Sequence, residues 1–219
     1  MTKPLIVAID GPSGVGKTTT SKLVARALNI PHIDTGAMYR AIGLAAMRRG
    51  IDTRDETALE KLAEQTRIDF VPGDPARVLL DGDDVTSLIR TPEISMAASD
   101  VSAVPGVRRV LVELQQDLGR RNGGVLEGRD IGTKVFPETP HKFFLTAKPQ
   151  VRADRRYREL QGKVPYETVL AEAMARDEQD STRVESPLTF DESYTVIDTS
   201  TLTIPQVVDE IVRRVRSVP

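Results

Sequence analysis

The passage from Leu5 to Leu28 restricts the fold of this chain more than any other. Leu5-Ile6-Val7-Ala8-Ile9 is an uninterrupted aliphatic run, the pattern of a strand buried on both faces. It leads directly into Gly11-Pro12-Ser13-Gly14-Val15-Gly16-Lys17-Thr18, which matches G-x-x-x-x-G-K-[ST]. Leu23, Val24, Ala27 and Leu28 then share one helical stripe. Gly11, Gly14 and Gly16 can adopt backbone conformations closed to other residues, so successive N–H groups can turn inward on a phosphate chain. The helix that starts there points its positive end at the same anion. In such a loop, residues 11–19 (through Thr19) cradle ATP, Lys17 reaches the outer phosphates and the Thr18 hydroxyl ligates Mg²⁺. A purely structural glycine turn would not need the buried strand before it and the amphipathic helix after it.

The rest of the chain repeats the alternation. Val125-Leu126, Phe143-Phe144-Leu145 and Val196-Ile197 read as further strands. Helical stripes cover Ala37 to Arg49, Val107 to Leu118 and Ile204 to Val215, the last with Pro205 suited to a first turn. Alternating strands and helices imply a three-layer α/β/α fold with a parallel sheet of about five strands. One region departs from this. Ile68-Asp69-Phe70 alternates, Pro72-Gly73-Asp74-Pro75 reads as a turn, and Val78-Leu79-Leu80 enters an Asp81-Gly82 hairpin turn. Residues 67–92 are therefore expected to form a small antiparallel β insertion in a core made of residues 1–66 and 93–219. Thr91-Pro92-Glu93 then opens a new helix as cap, first-turn proline and acidic second position.

Composition narrows the chemistry. The 219 residues include no cysteine and only two histidines, His32 and His141, which excludes thiol catalysis and makes zinc or Ser-His chemistry an unpromising expectation. The early apolar run stops at Asp10, too short for a signal or membrane segment, so a cytoplasmic protein is expected. A net charge of −2 argues against general nucleic-acid binding. Of the 30 basic residues 22 are Arg, the side chain that grips phosphate bidentately, although codon bias gives the same skew. Aromatic residues are scarce, with no Trp, so a flat ligand must be read mainly by hydrogen bonds.

Among nucleotide enzymes, a GTPase would carry Asn-Lys-x-Asp and Asp-x-x-Gly segments, and the chain has neither. Motor and transport ATPases show an acidic pair at a strand end; Glu127-Gly128 and the single Asp198 match poorly. A small kinase remains, and phosphoryl transfer then calls for converging arginines. Arg40 and Arg129 stand near glycine turns at strand ends, where ligands of open α/β sheets bind. Arg152, Arg155, Arg156, Arg158 and Lys163 form a basic helical stretch, with Arg176 and Arg183 beyond it.

Four segments together resemble the bacterial cytidylate kinases: Ile9–Lys17, Asp34-Thr35-Gly36-Ala37-Met38-Tyr39-Arg40, Gly128-Arg129-Asp130-Ile131-Gly132-Thr133, and Arg176 to Arg183 with Pro187-Leu188 following. The likeness spans essentially the whole chain, and the last two segments with the β insertion are its specific part. The resemblance implies a kinase that transfers the γ-phosphoryl group of ATP to CMP or dCMP. It places Thr35, Arg40, Arg129 and Arg183 on the acceptor phosphate. Ser99, Arg108 and Asp130 fall on the positions that read cytosine, and Arg176 and Asp180 on those that meet the ribose. Residues 67–92 become the monophosphate-binding insertion and residues 150–164 a mobile basic lid, with Arg155, Arg156 or Arg158 touching ATP.

The chemistry is coherent on its own terms. A carboxylate facing the cytosine amine would repel uracil, which predicts CMP over UMP. Asp130 could instead serve only to orient Arg129. The acceptor phosphate is largely ionised at neutral pH, so no general base is needed; Lys17, Arg129 and Arg183 would neutralise the transferring group. Rival readings are an adenylate- or uridylate-type acceptor, a regulator that hydrolyses ATP slowly, and a small-molecule kinase. A monomer is expected, since no segment shows an apolar seam.

Overall fold

The structure is a computed structural model in which residues 4–71, 73 and 76–217 are described. The chain forms two compact units, one made of the residues up to 32 together with those from 119 onward, the other of residues 33–118.

The first unit holds β1 (Ile6–Asp10), α1 (Lys17–Leu28), β6 (Gly124–Gly128), β7 (Lys142–Thr146), α6 (Pro149–Glu159), α7 (Tyr166–Thr182), β8 (Thr195–Asp198) and α8 (Ile204–Ser217). β2 (His32–Asp34) straddles the division. The five-stranded sheet has the order β2-β6-β1-β7-β8, and the β1–β6, β1–β7 and β7–β8 ladders are parallel. β1 occupies the centre, and Val7, Ala8, Ile9 and Asp10 are wholly buried there. Parallel strands covered by helices must be apolar along their length, which is why the aliphatic run reads as it does. One core joins Val7, Ile9, Phe143 and Leu145 of the sheet to Val24 of α1 and Val207, Ile211 and Val215 of α8. Between β6 and β7 lies a π-helical turn, Ile131–Val135. Such turns are rare and gather at functional sites.

The second unit comprises α2 (Thr35–Arg48), α3 (Glu56–Gln65), β3 (Ile68–Val71), β4 (Arg77–Leu80), β5 (Asp83–Asp84), a 3₁₀ turn at Leu88–Arg90, α4 (Pro92–Ala103) and the first part of α5 (Pro105–Asn122). The three short strands form an antiparallel sheet in the order β3-β4-β5, with Ile68 opposite Leu80 and Phe70 opposite Val78. Asp81 and Gly82 both have positive φ, 52° and 95°, as a two-residue hairpin turn of the primed type requires. Thr91 accepts a hydrogen bond from the Ile94 N–H at 3.2 Å and Pro92 opens α4, as the sequence predicts. Of the turn expected at residues 72–75 only Gly73 falls within the described residues.

Several boundaries differ from expectation. α2 starts at Thr35 rather than Ala37, because Asp34 caps it by accepting from the Ala37 N–H at 3.0 Å. α6 ends at Glu159, so Lys163 stands beyond the helix, after Gly162 with its φ of 70°. Helix α3, capped by Asp55, has no counterpart in the sequence reading. The compact unit that contains the small sheet is also wider than residues 67–92, since it includes α2, α3 and α4.

Candidate functional site

In the first unit the loop from Gly11 to Gly16 joins the C-terminal end of β1 to α1, with Gly11, Gly14 and Gly16 at φ values of 145°, 79° and 93°. A side chain at Gly11 would overlap the Leu145 carbonyl oxygen of the neighbouring strand. Gly16 caps α1 with no side-chain hydrogen bond to its first turn. The opening N–H groups of the helix are thus left to an anion rather than to a capping side chain. Lys17, 8% exposed, bends back across the loop and donates to the Gly11 and Pro12 carbonyls at 2.7 and 2.6 Å. Burial and the nearby Arg129 cation hold its ammonium well below the ordinary lysine range, against the pull of Glu127, Asp180 and Asp10. Bound phosphate would oppose both effects. Buried Pro12 and half-buried Ser13 complete the curve, and Thr19 is exposed on the first turn of α1. Val15 points the other way, buried in the core.

The loop is braced from behind. The Arg152 guanidinium, nearly buried, donates to the Ser13 carbonyl at 3.1 Å and is paired with Asp177. Arg155 donates to the Thr199 carbonyl at 2.6 Å, while the Thr199 hydroxyl meets the Val15 carbonyl at 3.2 Å. Of the three arginines proposed for ATP, Arg155 is therefore tied to the turn after β8, whereas Arg156 is exposed beside Glu159 and Arg158 is exposed. A cleft of about 390 Å³ beside Pro12 is lined also by Arg152, Asp177, Ser181, Leu188 and Phe190.

Thr18 has a partner that the sequence reading does not assign. Its hydroxyl donates to Glu127 Oε2 at 2.9 Å, and Glu127 Oε1 is 2.9 Å from His32 Nε2. A hydroxyl whose proton faces a carboxylate keeps its lone pairs for a hard cation. Among the described residues no group of three or more His, Cys, Asp or Glu is placed to hold a metal. One hydroxyl oxygen is nonetheless a fitting protein contribution for Mg²⁺, which keeps its waters and takes most of its ligands from substrate phosphates.

After β6, Arg129 donates through Nε to Asp180 Oδ2 at 2.8 Å, and Arg183 approaches Asp180 Oδ1 at 3.5 Å and donates to the Ser186 carbonyl at 3.0 Å. Burial pushes the Asp180 carboxyl up, but Arg129, Arg183 and Arg176 outweigh it and hold the group below the usual carboxylate range. Burial likewise opposes the Arg129 charge, yet Asp180, Glu127 and Asp10 reverse the sign and raise its pKa. The fold thus brings Lys17, Arg129, Arg176, Asp180 and Arg183 into one electrostatic group. Asp130 is 5% exposed and its charge acts on buried Asp10.

In the second unit Thr35 is buried at the start of α2. Arg40, one and a half turns on, donates to Asp34 Oδ2 at 2.8 Å, and its buried Nε has no hydrogen-bond partner. Asp34, by capping α2 and pairing with Arg40, sets both predicted phosphate ligands on one helix end. Arg108 is 4% exposed, donates to the Ser102 carbonyl at 3.1 Å and lies over the Tyr39 ring at 5.4 Å. The Ser102 hydroxyl in turn donates to the Ser99 carbonyl at 2.8 Å, which links two of the three predicted base readers, Ser99 and Arg108. Its neighbour Arg109 points away, with a side chain 65% exposed and paired with Glu60.

Sequence reasoning left Glu127, His32 and Asp34 without roles. Glu127 does carry a signal, an acid at a strand end, but glycine rather than a second acid follows it. Asp34 carried one too, as an aspartate three residues before the first buried stripe of a helix.

A family model described as Cytidylate kinase matches residues 7–217. The Cytidylate kinase of Syntrophotalea carbinolica is 48% identical over 217 residues, covering 97% of this chain and 92% of that protein. That of Limosilactobacillus fermentum is 44% identical over 219 residues, covering 98% and 97%. Among solved structures, a gluconokinase from Sinorhizobium meliloti 1021 is similar in fold, with a TM-score of 0.51 at 14% identity over 100% of this chain and 95% of that one.

Proposed function

The chain belongs to the cytidylate kinase family, and from that premise we propose how its residues carry out the family's reaction, transfer of the γ-phosphoryl group of ATP to CMP or dCMP. The observation that carries the assignment is the grouping of Lys17, Arg129, Arg176 and Arg183 about Asp180 beside the phosphate loop. So many cations in one largely buried place need anions, and two phosphate-bearing substrates supply them. ATP lies on residues 11–19, with its phosphates on the loop N–H groups and Lys17. Mg²⁺, with Thr18 as its protein ligand and Glu127 orienting that hydroxyl, supplies charge neutralisation on the ATP phosphates. Thr35, Arg40, Arg129 and Arg183 hold the acceptor phosphate. Ser99, Arg108 and Asp130 read cytosine, and Arg176 and Asp180 meet the ribose.

An oxygen of the CMP phosphate attacks the γ-phosphorus in line; the bond to the β–γ bridging oxygen breaks and ADP leaves. The nucleophile is already ionised at neutral pH, so no side chain has to take a proton. Lys17, Arg129 and Arg183 spread over the charge that builds on the transferring group. We take residues 150–164 as a basic lid that excludes water and residues 67–92 as part of the acceptor-binding segment. Among the described residues no helix is long and apolar enough to cross a membrane; a cytoplasmic monomer is the state we propose.

An acceptor panel with ATP tests the reading by ADP release. CMP and dCMP should be turned over well ahead of UMP and AMP, and Lys17→Ala should abolish turnover while leaving the circular dichroism unchanged. ATP consumption independent of any acceptor would overturn it.

A further inference from the structure

The turn that carries Arg129 and Asp130 is held by a device that uses neither residue. Asp10, the last residue of β1, is 0% exposed and directs its carboxylate at that turn. Its Oδ1 accepts from the Ile131 N–H and its Oδ2 from the Gly132 N–H, both at 2.9 Å. A third donor comes from far along the chain: the Tyr194 hydroxyl donates to Asp10 Oδ2 at 2.8 Å. A buried carboxylate with three donors is satisfied, and each donor also fixes its direction.

The fit between Tyr194 and the turn is steric as well. A Cβ placed on Gly132 would come within 2.5 Å of the Tyr194 hydroxyl, so the phenol fills the space that any other residue at 132 would claim. The ring is itself held, edge-on to Phe144 at 6.3 Å, with the Lys142 ammonium 5.8 Å from its centroid. Lys142 donates to Ser193 at 3.0 Å, and Ser193 is bound to Asp191, which secures the segment entering β8.

We propose that Tyr194 is a positioning residue for the acceptor-binding turn: by donating to Asp10 it fixes the carboxylate that holds Ile131 and Gly132, and with them Arg129 and Asp130. The inference rests on the reading of that turn as the acceptor contact. The groups that face Asp10 are Asp130 from the turn itself, Tyr194 from before β8, Lys17 from α1 and Arg129. Burial, and after it the Asp130 charge, push the Asp10 carboxyl up to about 6, while the two N–H groups and the Tyr194 hydroxyl pull it down. A protonated Asp10 has one acceptor fewer to offer, and the turn loses part of its anchorage. Removing the Tyr194 hydroxyl therefore moves this loss to higher pH.

The test compares the parent enzyme with Tyr194→Phe, which keeps the ring. KM for CMP is measured from pH 5.5 to 8.5 with ATP saturating, alongside KM for ATP. CMP itself titrates near pH 6, but equally for both proteins, so only their ratio is read. At pH 6 the variant should show KM for CMP raised roughly ten-fold, with KM for ATP unchanged, as expected when binding groups are slightly misplaced. At pH 8.5 the two should agree within about two-fold, since Asp10 is ionised in both. The acid limb of kcat/KM should sit about one pH unit higher in the variant. An unchanged KM for CMP across the whole range, or an equal rise in KM for ATP, overturns the positioning role. A parent enzyme that fails to saturate with CMP overturns the acceptor reading instead, which keeps the two failures apart.

Discussion

Replacing Asp180 by Asn isolates the centre of the cation group. In the structure Asp180 accepts from Arg129 Nε at 2.8 Å and is 4% exposed, so the pair is largely shielded from water. Asn keeps the shape and one acceptor oxygen but removes the charge that compensates Arg129 and Arg183. A hydrogen bond between charged partners is worth about 1.5–3 kcal/mol against about 1 for a neutral one, so the variant should lose about 1–2 kcal/mol of stability at pH 7. For a chain of this size that lowers Tm by roughly 2–8 °C. The cycle with Arg129→Gln gives the pair itself: if the interaction is real, the double variant loses less than the sum of the single losses by about 1 kcal/mol or more.

The pH dependence has a definite sign. The folded Asp180 pKa lies below the ordinary aspartate range, because its arginines outweigh burial. Its contribution is therefore fully present above the unfolded pKa of about 4 and is lost as pH falls through the lower folded value. Parent and Asn variant should differ in urea midpoint at pH 7 and draw together as the pH falls below about 4.

The same variant separates two roles in catalysis. Orienting Arg129 toward the acceptor phosphate should raise KM for CMP and for dCMP alike, on the order of ten-fold, and the ribose contact proposed for Asp180 should add a further rise for CMP alone. A loss confined to CMP would mean that the carboxylate reads the 2′-hydroxyl. That result, or single losses that add to the double within about 0.5 kcal/mol, would refute a coupled Arg129–Asp180 pair that acts through the acceptor phosphate.

Arg108 and Arg109 should behave oppositely. Arg108→Ala removes a buried donor proposed for cytosine and should raise KM for CMP about ten-fold or more, whereas Arg109→Ala, which loses only an exposed pairing with Glu60, should leave it within two-fold. Gly11→Ala forces a side chain into the Leu145 carbonyl at a φ of 145°. It should cost about 3 kcal/mol or more, seen as a large drop in Tm or as insoluble protein.

What the sequence discloses and what it hides follow from how far apart the cooperating residues are. The phosphate loop is legible because strand, glycines and helix are contiguous, and the Asp81-Gly82 hairpin because turn chemistry is local. β2 has three residues, too few for any periodicity to show. Helix α3 has Leu59, Leu62 and Ala63 as its buried face, a stripe so short that its cap is the better signal. The adjacent arginines 108 and 109 look alike in the string, and only the rotation of α5 about its axis sends one inward and the other to solvent. The roles of Arg129, Asp180 and Arg183 come from the resemblance to a family; the pairing of Arg129 with Asp180 does not, since residues 51 apart meet only once the sheet has formed.

Asp10 shows the limit most sharply. In the string it is only the residue at which an aliphatic run stops, with nothing beside it to show that it is buried. In the fold it is more buried than most of the core, because β1 is the central strand and its carboxyl end lies under the turn after β6. A charge there is tolerable only with donors, and a reader of the sequence can infer that donors must exist. Which ones serve is another matter: two come from backbone 121 and 122 residues away and one from a phenol 184 residues away. Backbone N–H groups carry no sequence signature at all, and a lone tyrosine before a strand is ordinary. The demand is therefore written locally in β1, whereas the supply is written only in the topology that lays β6, β7 and β8 beside it. Substitutions at Tyr194 should accordingly matter in proportion to what they do to Asp10, and not to what they do to the strand they precede.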